Sequence, residues 1–150
     1  RIYICTSCGL PTLFFNSNQY PGPILGRSIK NLPDDIEKVY KELRDSVKSA
    51  SYTAALLLGR KLIMHLAVDV AGASEGLSFI NYINHLKKSN FIPPGGEKIL
   101  TYIKDLGNEK NHEIKIGGEE EAQKILKFID GLLVFMYEFP GEFSSTEEGH

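Results

Sequence analysis

From residue 33 onward, apolar residues recur at the three- and four-residue spacing of helices that bury one face. Pro33 suits the first position of a helix, and acidic residues follow it where the helix dipole favours them. The same spacing predicts four further helices, at about 51–71, 78–89, 97–106 and 119–138. Pro140 is predicted to end the last of them. Short connections between five helices favour an antiparallel bundle.

The second predicted helix is apolar on most faces, which indicates a central position in the bundle. The other long helices carry one apolar stripe each. The residues predicted to face the core are Ile36, Val39, Tyr40, Leu43 and Val47 in the first helix, Phe79, Ile80, Ile83 and Leu86 in the third, and Ala122, Ile125, Leu126, Ile129, Leu132, Leu133 and Met136 in the fifth.

The first 32 residues follow a different pattern. Residues that favour β-strands flank the turn CTSCGLP, which predicts two short strands joined by a Cys-Gly knuckle. Residues 16–32 hold Asn, Gly and Pro at turn spacing and are predicted to form an extended strap. We therefore expect a β segment and strap (1–32), a helical bundle (33–140) and a flexible polar tail (141–150). The fold class is mainly α, with about five antiparallel helices preceded by a short β-hairpin that carries a partial zinc-ribbon knuckle.

Charge and hydropathy narrow the classes of partner. The chain has 17 basic and 19 acidic side chains, so it has no global attraction for nucleic acid or for an anionic membrane. Its longest apolar stretch, residues 54–70, contains four charged or titratable side chains and is not predicted to span a bilayer. No signal-peptide pattern is visible, which favours a cytoplasmic protein.

Cys5 and Cys8 are the two cysteines of the chain, and their C-x-x-C spacing is that of two thiolates on one tetrahedral zinc. Zinc requires four ligands. The pattern therefore indicates half of a zinc ribbon, completed by ligands elsewhere or on a partner, with an unligated remnant as the alternative. A redox pair is disfavoured because the motif does not open a helix after a buried strand.

The segment from Gly107 to His112 is the most specific polar motif. Gly107 has the character of a helix terminator, and Asn108 tolerates the same left-handed backbone or caps a turn. His112 is followed by Glu113, and a neutral imidazole beside polar partners can transfer protons near neutral pH. The alternative is structural: Asn108 and His112 hydrogen-bond the loop to the bundle.

Two charged residues interrupt apolar helices. Glu42 and Arg60 lie near the middle of the first two helices, where antiparallel packing could join them in a partly buried pair that fixes the register. Alternatively, Arg60 directs its guanidinium at a phosphate or carboxylate near His112.

These segments together resemble the bacterial family catalogued as domain of unknown function 4145, over nearly the whole chain. The resemblance rests on YICTSCG and QYPGP at the start, LPDDIEKVYKE, YTAALLLGRKLIMHLAV, FINYINHLKKSNFIPPGG, the corner IKDLGNEKNHEI and the ending FMYEFP. Members resemble the HEPN superfamily of helical bundles, which includes metal-independent ribonucleases and inactive binding modules, alone or fused to restriction and phage-defence proteins. A zinc ribbon often precedes the bundle.

The resemblance also implies candidate catalytic roles. In active HEPN ribonucleases an Arg, a polar residue and a His act together across paired subunits. Here His112 matches the histidine and Asn108 the polar residue, while Lys104 occupies the place of the cation and Arg60 could support it. Because lysine offers a point charge instead of a planar fork, the main prediction is a binding or assembly module, homodimeric and without its own catalysis. The alternative is a metal-independent endoribonuclease that acts on RNA through His112 and Asn108.

Overall fold

A computed structural model of the chain describes residues 1–106 and 116–144. Its described part is mainly helical, with five principal helices and a small N-terminal sheet, which confirms the predicted fold class. The strands are β1 (Ile2–Ile4), β2 (Pro11–Phe15) and β3 (Asn18–Tyr20). The helices are α1 (Asp34–Lys48), α2 (Tyr52–Asp69), α3 (Phe79–Lys88), α4 (Glu97–Leu106), α5 (Glu119–Leu133) and α6 (Phe139–Ser144), with a π-helical segment (Val134–Glu138) between the last two.

Helix α2 is the central element, as its all-round apolar character predicts. It packs against α1, α3, α4 and α5. Gly59 is buried where α2 crosses α5, and a Cβ atom there would lie 2.6 Å from Cγ1 of Ile125. The absence of a side chain at Gly59 therefore allows the two helix backbones to approach closely.

The predicted apolar stripes of α1 and α5 both enter the core. Every predicted core residue of α5 and its π-helical extension is buried, and in α1 only Val39 is partly exposed. In α3 the prediction for Ile80 was wrong, because its side chain is 39% exposed and Tyr82 takes the inward position. The other three predicted core residues of α3, Phe79, Ile83 and Leu86, are buried.

The fifth helix does not end at Pro140 as predicted. The N–H of Phe139 donates to the carbonyl oxygen of Val134, five residues earlier, and α6 then runs on to Ser144. A proline lacks the N–H that the interior of an α-helix requires. Pro140 lies in the first turn of α6, directly after the π-helical segment. The π-helical turn is therefore the local change that lets the helical path continue through a proline. The first residues of the predicted tail, 141–144, are helical.

The sheet has three antiparallel strands in the order β1-β2-β3, so the predicted hairpin gains a third strand. Asn16 and Ser17 have φ values of 46° and 64°, the left-handed pair that a tight two-residue hairpin turn needs. Residues 16–20 were predicted to belong to the extended strap, because Asn, Gly and Pro recur at turn spacing from residue 16 onward. The pair Asn-Ser lacks the glycine that usually marks this type of turn.

The strap between the sheet and α1 is attached to the bundle through backbone groups. Gly22 donates its N–H to the carbonyl oxygen of Lys48 at 3.0 Å, and Nε of Arg44 donates to the carbonyl oxygen of Leu25 at 2.8 Å. Glu138 accepts the N–H of Lys30 at 2.9 Å, and Ile29 is buried in the core. The strap is therefore held by hydrogen bonds to the helices and not by secondary structure of its own. No helix of the described residues is long and apolar enough to cross a membrane.

Candidate functional site

Four of the predicted site residues, Gly107, Asn108, His112 and Glu113, lie outside the described residues. The structure instead defines the chain on either side of them. Helix α4 occupies its predicted range and ends at Leu106.

Both flanks of this segment attach to α2. On the N-terminal side, the carbonyl oxygen of Ile103 in α4 accepts a hydrogen bond from Nη1 of Arg60 at 3.4 Å. On the C-terminal side, the N–H of Gly117 donates to Oγ1 of Thr53 at 2.9 Å. Gly117 is buried, and a Cβ atom there would clash with the side chain of Leu56. Arg60 and Thr53 are thus the α2 residues that contact the chain before and after this segment.

Arg60 is held at a defined position on α2. Its guanidinium carbon lies 4.2 Å from the centre of the Phe79 ring, a cation–π contact with a buried aromatic of α3. The same group bonds to α4 through Ile103. Arg60 is half-buried and links α2 to α3 and to α4, the helix that precedes Asn108 and His112 in sequence.

The predicted pair of Glu42 and Arg60 is not formed among the described residues. Glu42 is exposed on α1, whereas Arg60 lies against α3 and α4. Lys104 is exposed on α4, one residue beyond the carbonyl group that Arg60 contacts. The structure therefore brings Arg60, and not Glu42, to the helix that carries Lys104.

A groove along the outer side of α2 combines cationic and apolar side chains. We call it the α2 groove; it has a volume of about 530 Å³. The α2 residues that line it are Leu57, Arg60, Lys61, Met64, His65 and Val68, and the acidic Glu75 and the aromatic Tyr82 complete the lining. Nε2 of His65 lies 3.9 Å from a carboxylate oxygen of Asp69. Arg60 was a predicted site residue, whereas the groove was not predicted, although Lys61 and His65 lie four residues apart on an otherwise apolar helix.

The Cys-Gly knuckle forms a tight turn between β1 and β2. The N–H of Cys5 donates to the carbonyl oxygen of Leu10 at 2.9 Å, and the N–H of Gly9 donates to that of Cys5 at 2.8 Å. Gly9 has a φ of 70°, a conformation that favours glycine. Hydrogen bonds from the backbone N–H groups of Cys8 and Ser7 lower the pKa of the Cys5 thiol, with a smaller contribution from the Cys8 side chain.

This turn fits one half of a tetrahedral zinc site. Cys5 is half-buried and Cys8 exposed, and backbone donors that stabilise a thiolate also suit a metal ligand. Within 1–106 and 116–144, no group of three or more metal-ligating side chains is assembled. A four-coordinate zinc site at this turn would therefore need further ligands from outside these residues.

One face of the sheet is apolar and exposed. Ile2 pairs with Leu13, which pairs with Tyr20, so these side chains share a face with Ile4 and Phe15. We call these five residues the apolar sheet face; their exposed fractions range from 41% to 70%. Cys5 directly follows Ile4, so the knuckle begins where this face ends.

The comparisons with known proteins give a family and no function. The family model described as "Domain of unknown function (DUF4145)" matches residues 41–148, which include α2, the α2 groove and the segment from Gly107 to His112. No curated protein and no solved structure matches the chain. Because the match covers well over half of the sequence, the chain belongs to the DUF4145 family.

Proposed function

We propose that this protein is a binding and assembly module, with the apolar sheet face as its docking surface. The proposal rests on the exposure of that face to solvent. Five large apolar side chains on one side of a three-stranded sheet leave a patch that is normally covered by another surface.

The knuckle indicates what the covering surface must contain. Cys5 and Cys8 would hold zinc through two thiolates, and the ion requires two further ligands. A strand pair that supplies these ligands would lie beside the knuckle, next to Ile4 and the rest of the apolar sheet face. Bound zinc would supply a structural cross-link and no chemistry. The partner class that the family resemblance suggests is a restriction or phage-defence protein.

A Co²⁺ titration tests this proposal, because Co²⁺ replaces zinc in thiolate sites and absorbs visible light. In a solution of this chain alone, Cys5 and Cys8 of a second copy would complete the four thiolates, so one ion should bind per two chains. Cys5→Ser and Cys8→Ser should each abolish the absorption, and the matched control Ser7→Ala should retain it.

The sheet itself is tested in the same titration by Leu13→Asp, which leaves both cysteines in place. This variant should weaken the metal-dependent association of chains seen by sedimentation. Absence of Co²⁺ binding by the wild-type chain, or binding that survives Cys5→Ser, would contradict the zinc site. Association unaffected by Leu13→Asp would contradict the docking surface.

A second candidate function is a metal-independent endoribonuclease, and the position of Arg60 favours it. A guanidinium fixed by Phe79 and Ile103 is suited to stabilise a developing negative charge on a phosphate. In this candidate His112 transfers the proton, Asn108 positions the RNA and Lys104 supplies a second cation.

An RNA-cleavage assay in EDTA tests the ribonuclease directly. Loss of a general acid or base typically costs about 10²–10⁴-fold in rate, so His112→Ala should reduce cleavage by that order. Lys98→Ala, on the exposed side of the same helix as Lys104, is the control and should cleave normally. Absence of cleavage, or cleavage that persists in His112→Ala, excludes this function.

A further inference from the structure

The two cysteine side chains of the knuckle are in contact with each other. The Cys5 sulfur accepts hydrogen bonds from the backbone N–H groups of Cys8 and Ser7 and is also hydrogen-bonded to the Cys8 side chain. Backbone hydrogen bonds from Cys5 to Leu10 and from Gly9 to Cys5 hold the turn in this shape. Two thiols held in contact can bind one metal ion together or can be joined to each other as a disulfide.

The surroundings of the two thiols differ in a way that favours a disulfide within the chain. Cys8 is exposed and Cys5 half-buried, so a dissolved oxidant meets Cys8 first. The sequence contains no third cysteine, and Cys5 is therefore the one thiol of the same chain that can react next. The positive charge of Lys48, at the end of α1, acts on Cys5 and favours the approach of an anionic oxidant.

We infer that the knuckle is a redox switch, in which a small anionic disulfide such as glutathione disulfide joins Cys5 to Cys8 and so releases zinc and the docked partner. The inference rests on the proposed zinc site, because it assigns the regulation of that site. Zinc binds thiolates, so sulfur atoms joined in a disulfide no longer hold the ion. The motif does not open a helix, which disfavours an oxidoreductase. The closure of a local disulfide requires only that the two thiols be in contact.

The oxidation consists of two thiol–disulfide exchanges. The Cys8 sulfur attacks glutathione disulfide, which breaks its S–S bond, releases one glutathione and leaves the other joined to Cys8. The Cys5 sulfur then attacks the Cys8 sulfur, forms the Cys5–Cys8 bond and releases the second glutathione. Two electrons pass from the cysteines to glutathione disulfide, and the two cysteine protons end on the two glutathione thiols. An excess of reduced glutathione reverses both steps.

Mass spectrometry of the metal-free full chain tests the disulfide separately from the zinc site. The chain is equilibrated in EDTA with reduced glutathione and glutathione disulfide in varied ratios, quenched with acid and alkylated. The oxidised wild-type chain should be lighter by two hydrogen atoms and should resist alkylation. Cys5→Ser should stop at a glutathione adduct on Cys8, and the matched control Ser7→Ala should behave as the wild type. Chains joined to one another, or a wild-type chain that stops at the adduct, would overturn the switch.

The bundle should not respond to this oxidation. No buried apolar residue comes from the three strands that flank the knuckle, so the bond forms outside the core. The helical circular dichroism signal of the oxidised chain should therefore equal that of the reduced chain. Loss of the helical signal on oxidation would show unfolding instead of a local switch.

Zinc release tests the coupling to the metal. The zinc-loaded full chain is treated with glutathione disulfide in the presence of a chromophoric zinc chelator. Zinc should be lost completely and in step with disulfide formation, and dithiothreitol with added zinc should restore the complex. Retention of zinc at a glutathione ratio that oxidises the metal-free chain would overturn the switch and leave the zinc site intact. A reduced wild-type chain that binds neither zinc nor Co²⁺ would instead contradict the zinc site, and its regulation with it.

Discussion

Tyr40 is the residue at which the strap, α1 and α5 meet. Its side chain is 3% exposed, and its hydroxyl donates to a carboxylate oxygen of Asp130 at 2.7 Å. Asp130 lies 3.9 Å from Nε of Arg27 in the strap. The Tyr40 hydroxyl thus connects α1 to α5 through Asp130. The same carboxylate lies beside Arg27 of the strap.

Replacing Tyr40 by Phe removes the hydroxyl but retains the ring. Hydrogen bonds to charged groups contribute about 1.5–3 kcal/mol, so Tyr40→Phe should lower the free energy of unfolding by that amount at neutral pH. Urea unfolding followed by circular dichroism measures the loss. Tyr3→Phe, at an exposed position of the sheet, is the matched control and should leave the free energy of unfolding unchanged.

The same residue predicts a pH dependence. Burial, followed by the hydrogen bond and the charge of Asp130, raises the pKa of Tyr40 above its ordinary value of about 10. Folding therefore favours the neutral phenol, and its contribution is complete below about pH 10 and is lost as the pH rises further towards the folded-state pKa. The stability difference between wild type and Tyr40→Phe should shrink above about pH 10. A constant difference would contradict this assignment.

The sequence showed which residues are unusual more reliably than it showed which residues they contact. The sequence marks Arg60 as unusual because a guanidinium interrupts an apolar helix. Its contact with Phe79, and not with Glu42, depends on the rotation of α2 within the bundle, which the spacing of apolar residues leaves undetermined when a helix is apolar all round. The knuckle is the opposite case, since Cys5, Cys8 and Gly9 specify a turn locally and the turn forms as expected.

At the scale of elements, Gly59 and Gly131 are both helical glycines in opposite environments. A Cβ atom at Gly59 would meet Ile125 and Ile129 of α5, whereas a Cβ atom at Gly131 meets nothing within 4 Å. Gly59→Val should destabilise the fold by about 1–3 kcal/mol through overpacking. Gly131→Ala should stabilise it by about 0.5–1 kcal/mol through helix propensity.

Thermal and urea unfolding of the two variants and the wild-type chain measures the change in the free energy of unfolding, which should be a loss for Gly59→Val and a gain for Gly131→Ala. Equal effects of the two substitutions would show that α2 and α5 can separate without cost, contrary to their close approach at Gly59. Gly59→Ala is a milder probe, because its gain in helix propensity partly offsets the contact with Ile125.

The elements that the sequence predicted well are those with a strong period or a distinct boundary. Helix α4 and the core stripe of α5 follow directly from spacing. The π-helical turn and β3 were missed because each depends on a small backbone adjustment, the N–H of Phe139 bonded five residues back and the positive φ of Asn16 and Ser17. Neither adjustment has a reliable residue signature.

At the scale of the whole molecule, the core and the proposed docking surface are separate. The buried apolar residues come from the strap, the helices and the loop after α2, and none comes from the three strands. Cys5, Cys8 and the apolar sheet face therefore lie on a part of the molecule that the core does not require, a common arrangement for surfaces that bind other proteins.

This separation predicts a contrast between two apolar substitutions. Leu13→Ser, in the sheet, should change the free energy of unfolding of the bundle by about 0.5 kcal/mol or less, as surface substitutions usually do. Ile63→Ala, in a fully buried position of α2, should lower it by about 2–5 kcal/mol. Urea unfolding followed by the helical circular dichroism signal compares the two. A loss at Leu13 as large as that at Ile63 would mean that the sheet supports the core, and the apolar sheet face would then need no partner to explain its composition.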